Sequence, residues 1–141
     1  MDKIKYLWEY DIKVLLALEQ AIAGEKEFLD FLLTNGYPEL GALANAIRAD
    51  LEAYQWLIRY GFLELAMLSD AIDGDGAAYD WLNNQDLYLY MIIASACQGS
   101  EKAKNYLAKN NLDYFIRFAD TVANELEWQR RNQTDYHKFG S

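Results

Sequence analysis

Apolar and polar positions along the chain repeat on a ruler of 25 residues. The segments "AIAGEKEFLDFL" from Ala21, "AIRADLEAYQWL" from Ala46, "AIDGDGAAYDWL" from Ala71 and "ACQGSEKAKNYL" from Ala96 align without a gap. The start of the chain keeps the same register, because Tyr6-Leu7 falls where Phe31-Leu32, Trp56-Leu57, Trp81-Leu82 and Tyr106-Leu107 fall. Thr121-Val122 opens a fifth copy, but Arg131-Asn132 stands at its aromatic-leucine position, so the pattern ends there. A fixed period of this length is the signature of a repeat architecture.

Each period predicts two short helices. With Ala21, Ala46, Ala71 and Ala96 as position 1, apolar residues recur at positions 20, 23, 24, 1 and 2, for example Leu40, Leu43, Ala44, Ala46 and Ile47. That spacing of i, i+3, i+4, i+6 and i+7 is one face of an α-helix. Position 4 holds Gly24, Ala49, Gly74 or Gly99, where a left-handed residue ends the helix. Position 5 holds Glu25, Asp50, Asp75 or Ser100, placed to cap the next one. The second helix offers positions 8, 9, 11 and 12 to the core, for example Ala53, Tyr54, Trp56 and Leu57. Position 16 turns the chain, with Gly36 and Gly61 and, in the same role, Asp11, Asp86 and Asn111. Tyr37, Phe62, Leu87 and Leu112 follow and plug the corner, and Pro38 suits a helix start.

One stretch opposes this pattern. "LYLYMIIA", Leu87 to Ala94, has the aromatic and β-branched content of a strand. Leu87, Tyr90, Ile93 and Ala94 nevertheless occupy the positions of Phe62, Leu65, Leu68 and Ser69, so the period predicts helix. The fold expected is all-α, an α-solenoid of about five stacked helical hairpins, with nine to eleven short helices and no sheet. It is read as one domain over residues 1–141. Residues 1–20 form an N-terminal cap repeat, 21–120 four repeats, and 121–141 a C-terminal capping helix and polar tail.

The 16-residue run "AIAGEKEFLDFLLTNG" is similar to the helical part of an ankyrin repeat, A-x-x-G-H-x-x-V-V-x-L-L-L-x-x-G. Ala21, Gly24, Phe28, Leu29, Phe31, Leu32, Leu33 and Gly36 fall in step with it. The repeat is shorter than an ankyrin repeat, and the T-P-L-H motif and the projecting β-hairpin finger are missing. The resemblance therefore implies an ankyrin-like α-solenoid of bare helical hairpins, with protein–protein recognition as its use.

Charge narrows the partners. The net charge is −9, and residues 21–95 alone carry 12 acids against 3 bases. Such a centre repels phosphate, which argues against nucleic acid and against acidic lipid surfaces. No window reaches 18 uncharged apolar residues, so no transmembrane helix is expected. The first residues lack the pattern of a signal peptide, and the lone Cys97 forms no internal disulfide; both fit a cytoplasmic protein.

Candidate chemistry is sparse. "DGDG" at Asp73 to Gly76 suggests a calcium loop, but the twelfth position from Asp73 is Asn84 where a bidentate Glu is required. No G-K-[ST] phosphate loop is present. Asp73 aligns with Ala23, Arg48 and Gln98, a variable exposed position, and Asp75 aligns with helix caps. Cys97 takes the place of Ile22, Ile47 and Ile72, and reads as a buried small hydrophobe. His137, the only histidine, lies in the polar tail "RRNQTDYHKFGS", read as frayed. The carboxylate pairs Glu25 with Glu27 and Asp73 with Asp75 lie at exposed or capping positions, not in an apolar pocket. Trp56 and Trp81 align with Phe31 and Tyr106 and read as core, while Trp8 and Trp128 read as covers for the two ends.

These features predict a non-enzymatic protein–protein interaction module without a cofactor or metal, binding another protein or a second copy of itself as a homodimer. The alternative is a metal- or small-ligand-binding protein using the acidic ridge near residues 70–80. The expected partner-binding strip is Met67, Tyr88, Leu89, Met91, Ile92 and Tyr114, at the outward positions of the first helices and just beside them.

Overall fold

The computed structural model describes residues 6–140, with side chains through Asn132. After a single 3-10 turn at Leu7–Glu9 come α1 (Ile12–Ile22), α2 (Lys26–Thr34), α3 (Pro38–Ile47), α4 (Leu51–Arg59) and α5 (Leu63–Ile72). They are followed by α6 (Gly76–Asn84), α7 (Tyr88–Cys97), α8 (Glu101–Lys109) and α9 (Asp113–Gly140). No strand occurs among the described residues, and "LYLYMIIA" is helical from Tyr88 onward. Propensity yields there because the apolar face falls at helical spacing.

The helix ends explain the ruler. Left-handed residues stand at Gly24, Gly36, Ala49, Gly61, Gly74, Asp86, Gly99 and Asn111, alternately 12 and 13 residues apart. At each one, the next residue donates its N–H to the carbonyl five positions back. These bonds run from Glu25 to Gln20 (3.0 Å), Tyr37 to Leu32 (3.0 Å), Asp50 to Asn45 (2.9 Å) and Phe62 to Leu57 (2.7 Å). Asp75 to Asp70 (3.1 Å), Leu87 to Leu82 (2.9 Å), Ser100 to Ser95 (3.1 Å) and Leu112 to Leu107 (2.8 Å) complete the series. This six-residue closure is the Schellman motif, which satisfies carbonyls that a helix terminus leaves bare. At position 5 the same residue then starts the following helix. Asp50 accepts from the N–H groups of Glu52 and Ala53, Asp75 from Ala77, and Ser100 from Ala103. Glu25 has no such side-chain bond.

One expectation about turns is corrected. Asp11 has φ −57° and caps α1 by accepting from the Lys13 N–H at 2.8 Å. The element before it is a 3-10 turn, so there is no α-helix end for a left-handed residue to close. Beyond Val122, α9 continues through Gly140 over the polar segment, where good helix formers follow one another. Gln129 donates to Glu125 across one turn at 2.8 Å. The side chain of His137 lies outside the described residues.

The chain divides into two compact units, one ending at Ala66 and the other beginning at Met67. In the first, α1 packs on α2 and α3, and α3 on α2 and α4; in the second, α7 packs on α6, α8 and α9, and α8 on α9. In both, the core is the set of first-helix positions found by periodicity. Leu40, Leu43, Ala44, Ala46 and Ile47 are buried in the first unit, and Tyr90, Ile93, Ala94, Ala96 and Cys97 in the second. Leu7, Leu32, Leu57, Leu82 and Leu107 supply a fully buried leucine from position 12.

The aromatic column at position 11 is not core. Phe31 is 41% exposed, Tyr106 is 47% exposed, and Trp56 and Trp81 are only half-buried. Position 11 lies one residue, about 100° of helix, from the leucine that points inward. Its rings lean on the surface instead: Trp56 stacks on Phe62 at 5.8 Å with planes 5° apart, and lies 4.8 Å from the exposed Tyr60. Trp128 is also exposed, at 54%. Trp8 stacks on Tyr6 at 5.1 Å.

Position 3, read as merely exposed, tethers successive copies. Arg48 Nη1 donates to the Ile22 carbonyl at 3.0 Å, and Gln98 Nε2 to the Ile72 carbonyl at 2.9 Å. Each acceptor is in the last turn of its helix, among the groups helix geometry leaves bare. Each donor lies over the glycine that ended that helix. A Cβ at Gly24 would stand 3.1 Å from Arg48 Nη1, and one at Gly74 would stand 3.0 Å from Gln98 Nε2. Glycine suits both positions by φ (100° and 90°), and a Cβ there would also press the mobile end of Arg48 or Gln98 aside by a few tenths of an ångström.

The exposure pattern orders two neighbouring substitutions. Leu57→Ala should cost about 2–5 kcal/mol, the usual loss for a fully buried leucine. Trp56→Ala should cost less despite removing more atoms. Urea unfolding of both variants checks this; a larger loss for Trp56→Ala would contradict the assignment of position 12 as the core column.

Candidate functional site

The second unit carries an open cavity of about 370 Å³. Its lining follows from the helix pair α7 and α8 and the neighbouring α6. On α7, Met91, Ile92 and Ser95 present one edge at i, i+1 and i+4 spacing, all half-buried. On α8, Lys102, Ala103 and Tyr106 form the opposing edge, with the cap residue Ser100 at its end. Tyr79 of α6 supplies a second phenol ring. The Tyr79 and Ser95 hydroxyls lie 3.4 Å apart, and either can donate. The same 16-residue offset recurs one copy on, where Lys104 Nζ donates to Asp120 at 3.2 Å.

The groove is therefore apolar on its floor and walls, with four hydroxyl groups, from Tyr79, Ser95, Ser100 and Tyr106, and one cation. Ala103 is buried and small, which leaves the space that Tyr79 and Tyr106 flank. Lys104, the other cation of this helix turn, is engaged: besides Asp120 it lies 3.8 Å from Glu101, and its pKa is raised chiefly by the Asp120 hydrogen bond. Lys102 makes no such ion pair among the described residues and remains exposed.

Of the expected strip, Met91 and Ile92 line this cavity, and Met67, Tyr88, Leu89 and Tyr114 do not. Met67 and Leu89 are half-buried. Tyr88 is 53% exposed and donates its hydroxyl to Asp86 at 2.9 Å, a bond that raises the phenol's pKa. Tyr114 is half-buried and turned toward its own helix, against Phe115 at 5.0 Å and Phe118 at 6.3 Å. Tyr79, Ser95, Ser100, Lys102, Ala103 and Tyr106 were missed by sequence reasoning.

The other candidate residues take structural roles. Cys97 is buried, and that burial pushes its thiol pKa far up, away from nucleophilic use. Among the described residues no group of three or more His, Cys, Asp or Glu is placed to hold a metal ion. Among the described residues no helix is long and apolar enough to cross a membrane.

Two carboxylates are perturbed. Glu39 accepts from the Tyr10 hydroxyl at 2.6 Å. One repeat later, Glu64 occupies the equivalent position, but the equivalent of Tyr10 is Asn35, which donates to the Phe31 carbonyl instead. Glu64 Oε2 is buried without a hydrogen bond, and desolvation raises its pKa. Asp73 is exposed as a residue, yet partial desolvation of its carboxyl, and then the Asp70 charge, raise its pKa above 3.8.

No protein-family model, no curated protein and no solved structure matches the chain.

The Asp73 shift carries a signed consequence. A folded-state pKa above the unfolded value means that the folded chain holds the proton more tightly, so stability falls as pH rises through the folded pKa. Asp73→Asn removes the charge and should raise the melting temperature at pH 7. The advantage should shrink as pH falls toward 3.8. Thermal melts of both proteins across that range test it, and an equal melting temperature at pH 7 would contradict it.

Proposed function

We propose that this chain is a non-enzymatic protein–protein interaction module, and that it uses the groove between α7 and α8 to hold a protein partner or a second copy of itself. The observation that carries this reading is the cavity of about 370 Å³, apolar in its walls and lined by two tyrosines, Met91 and Ile92. Tyrosine and methionine are among the residue types enriched where proteins recognise one another.

We also assign the 25-residue hairpins to an ankyrin-like α-solenoid with bare helical repeats. In support, each unit contains the same repeat-to-repeat bond, from Arg48 to Ile22 and from Gln98 to Ile72. Each also packs a first helix on the next first helix, α1 on α3 and α7 on α9. Recognition through surface helices is the use such repeats suit.

A photo-crosslinking amino acid placed at Tyr106, on the rim, tests the site; the same group at the exposed Asp30 of α2 is the control. Irradiation in the native lysate should give an intermolecular adduct from position 106 and none from position 30. Adding Ile92→Glu should remove that adduct. Equal adducts from both positions, or an adduct indifferent to Ile92→Glu, would refute the assignment.

A further inference from the structure

Resting on the groove as the recognition site, we infer that its occupant is a peptide segment with one large apolar side chain and an acidic residue beside it. The dimensions set the first half. The α7 edge runs from Met91 to Ser95, four residues, or about 6 Å of helix. That length limits the contact to a short segment, and a volume of about 370 Å³ admits a large anchoring side chain with room beside it, the rest of the segment lying outside. The walls given by Met91, Ile92, Ala103 and the phenol rings match an aliphatic or aromatic anchor. Methionine's flexible thioether lets the wall adapt to its shape.

Charge sets the second half. The chain carries 22 acids against 13 bases, yet none of the acids lines the groove. The one charged group there is Lys102, exposed and without an ion pair, while the neighbouring Lys104 is held by Asp120 and Glu101. The local balance also differs from the acidic centre: residues 96–141 hold 7 bases and 6 acids. An acid one or two positions from the anchor would meet Lys102 at the rim. Rim charges chiefly set partner choice and association rate, so Lys102 acts here as a specificity determinant while the apolar pocket supplies the hold.

The test is a displayed library of random octapeptides selected against the full chain. Enriched peptides should carry Leu, Ile, Met or Phe with Asp or Glu within two positions. Selection on Lys102→Glu should replace that acid with Lys or Arg and weaken the original peptides at least tenfold. Lys102 is exposed, so this variant should keep the wild-type dichroism spectrum. Ile92→Glu and the milder Tyr106→Ala should each lose the peptides whatever their charge. If those two lose the peptides but Lys102→Glu selects the same charges as wild type, the groove stands and the acidic-partner inference is overturned. If neither alters the enriched peptides, the groove itself is the wrong site, and the inference falls with it. No enrichment on wild type, with sedimentation showing a dimer that Ile92→Glu dissociates, gives the groove to a second copy and also overturns it.

Discussion

The left-handed residue at the end of each helix is the constraint from which the rest follows. An α-helix leaves its last carbonyls without partners, and here the six-residue closure satisfies them at Gly24, Gly36, Ala49, Gly61, Gly74, Asp86, Gly99 and Asn111. Because the interval alternates between 12 and 13 residues, helix lengths stay at nine to eleven residues through α8. Where the interval next calls for a turn, at Asn124, the helix runs on. Ala49 shows that glycine is not obligatory, since its φ of 73° is held with Asp50 capping the next helix. At Gly24 and Gly74 a Cβ would in addition press on the side-chain ends of Arg48 and Gln98.

The same closure couples turn to core. At position 12 the buried leucine contributes its side chain to the interior and its carbonyl to the turn: Leu32, Leu57, Leu82 and Leu107 each accept the N–H of the corner residue. Backbone satisfaction and apolar burial therefore fall on one residue in every copy. On the other helix the equivalent acceptors are Gln20, Asn45, Asp70 and Ser95, which face a more polar edge. That edge is where Ser95 meets Tyr79 and where the groove opens.

The helices, their boundaries and the first-helix core were legible because each depends on residues close in sequence and is repeated several times. Asp86 and Asn111 could be recognised as turn residues only by alignment with Gly36 and Gly61. The aromatic column was misread because recurrence of large rings at position 11 looks the same whether they face inward or lean along the surface; the 100° between positions 11 and 12 decides it. Position 3 was illegible for a different reason. Arg48 and Gln98 share no chemistry beyond a long stem and an N–H donor, so a reading by residue class sees only variability. Of the groove, Met91 and Ile92 were visible as outward apolar residues. The contributions of Ser100, Lys102 and Tyr106 depend on how α8 returns along α7, which no local pattern reports.

The turns have a consequence for how such a chain changes over generations. Each is closed by bonds within six residues, and the helix that follows takes its cap from the same segment. A duplication or deletion of 25 codons, wherever its breakpoints fall, rejoins equivalent positions and restores a complete turn at the junction. Only the position-3 donor must then find a carbonyl in a new neighbour, and Arg48 and Gln98 show that two unlike side chains reach the same target. The length of this protein is accordingly a quantity that recombination can alter in whole repeats, while an insertion of one or two residues inside a helix moves that helix's own leucine off its face.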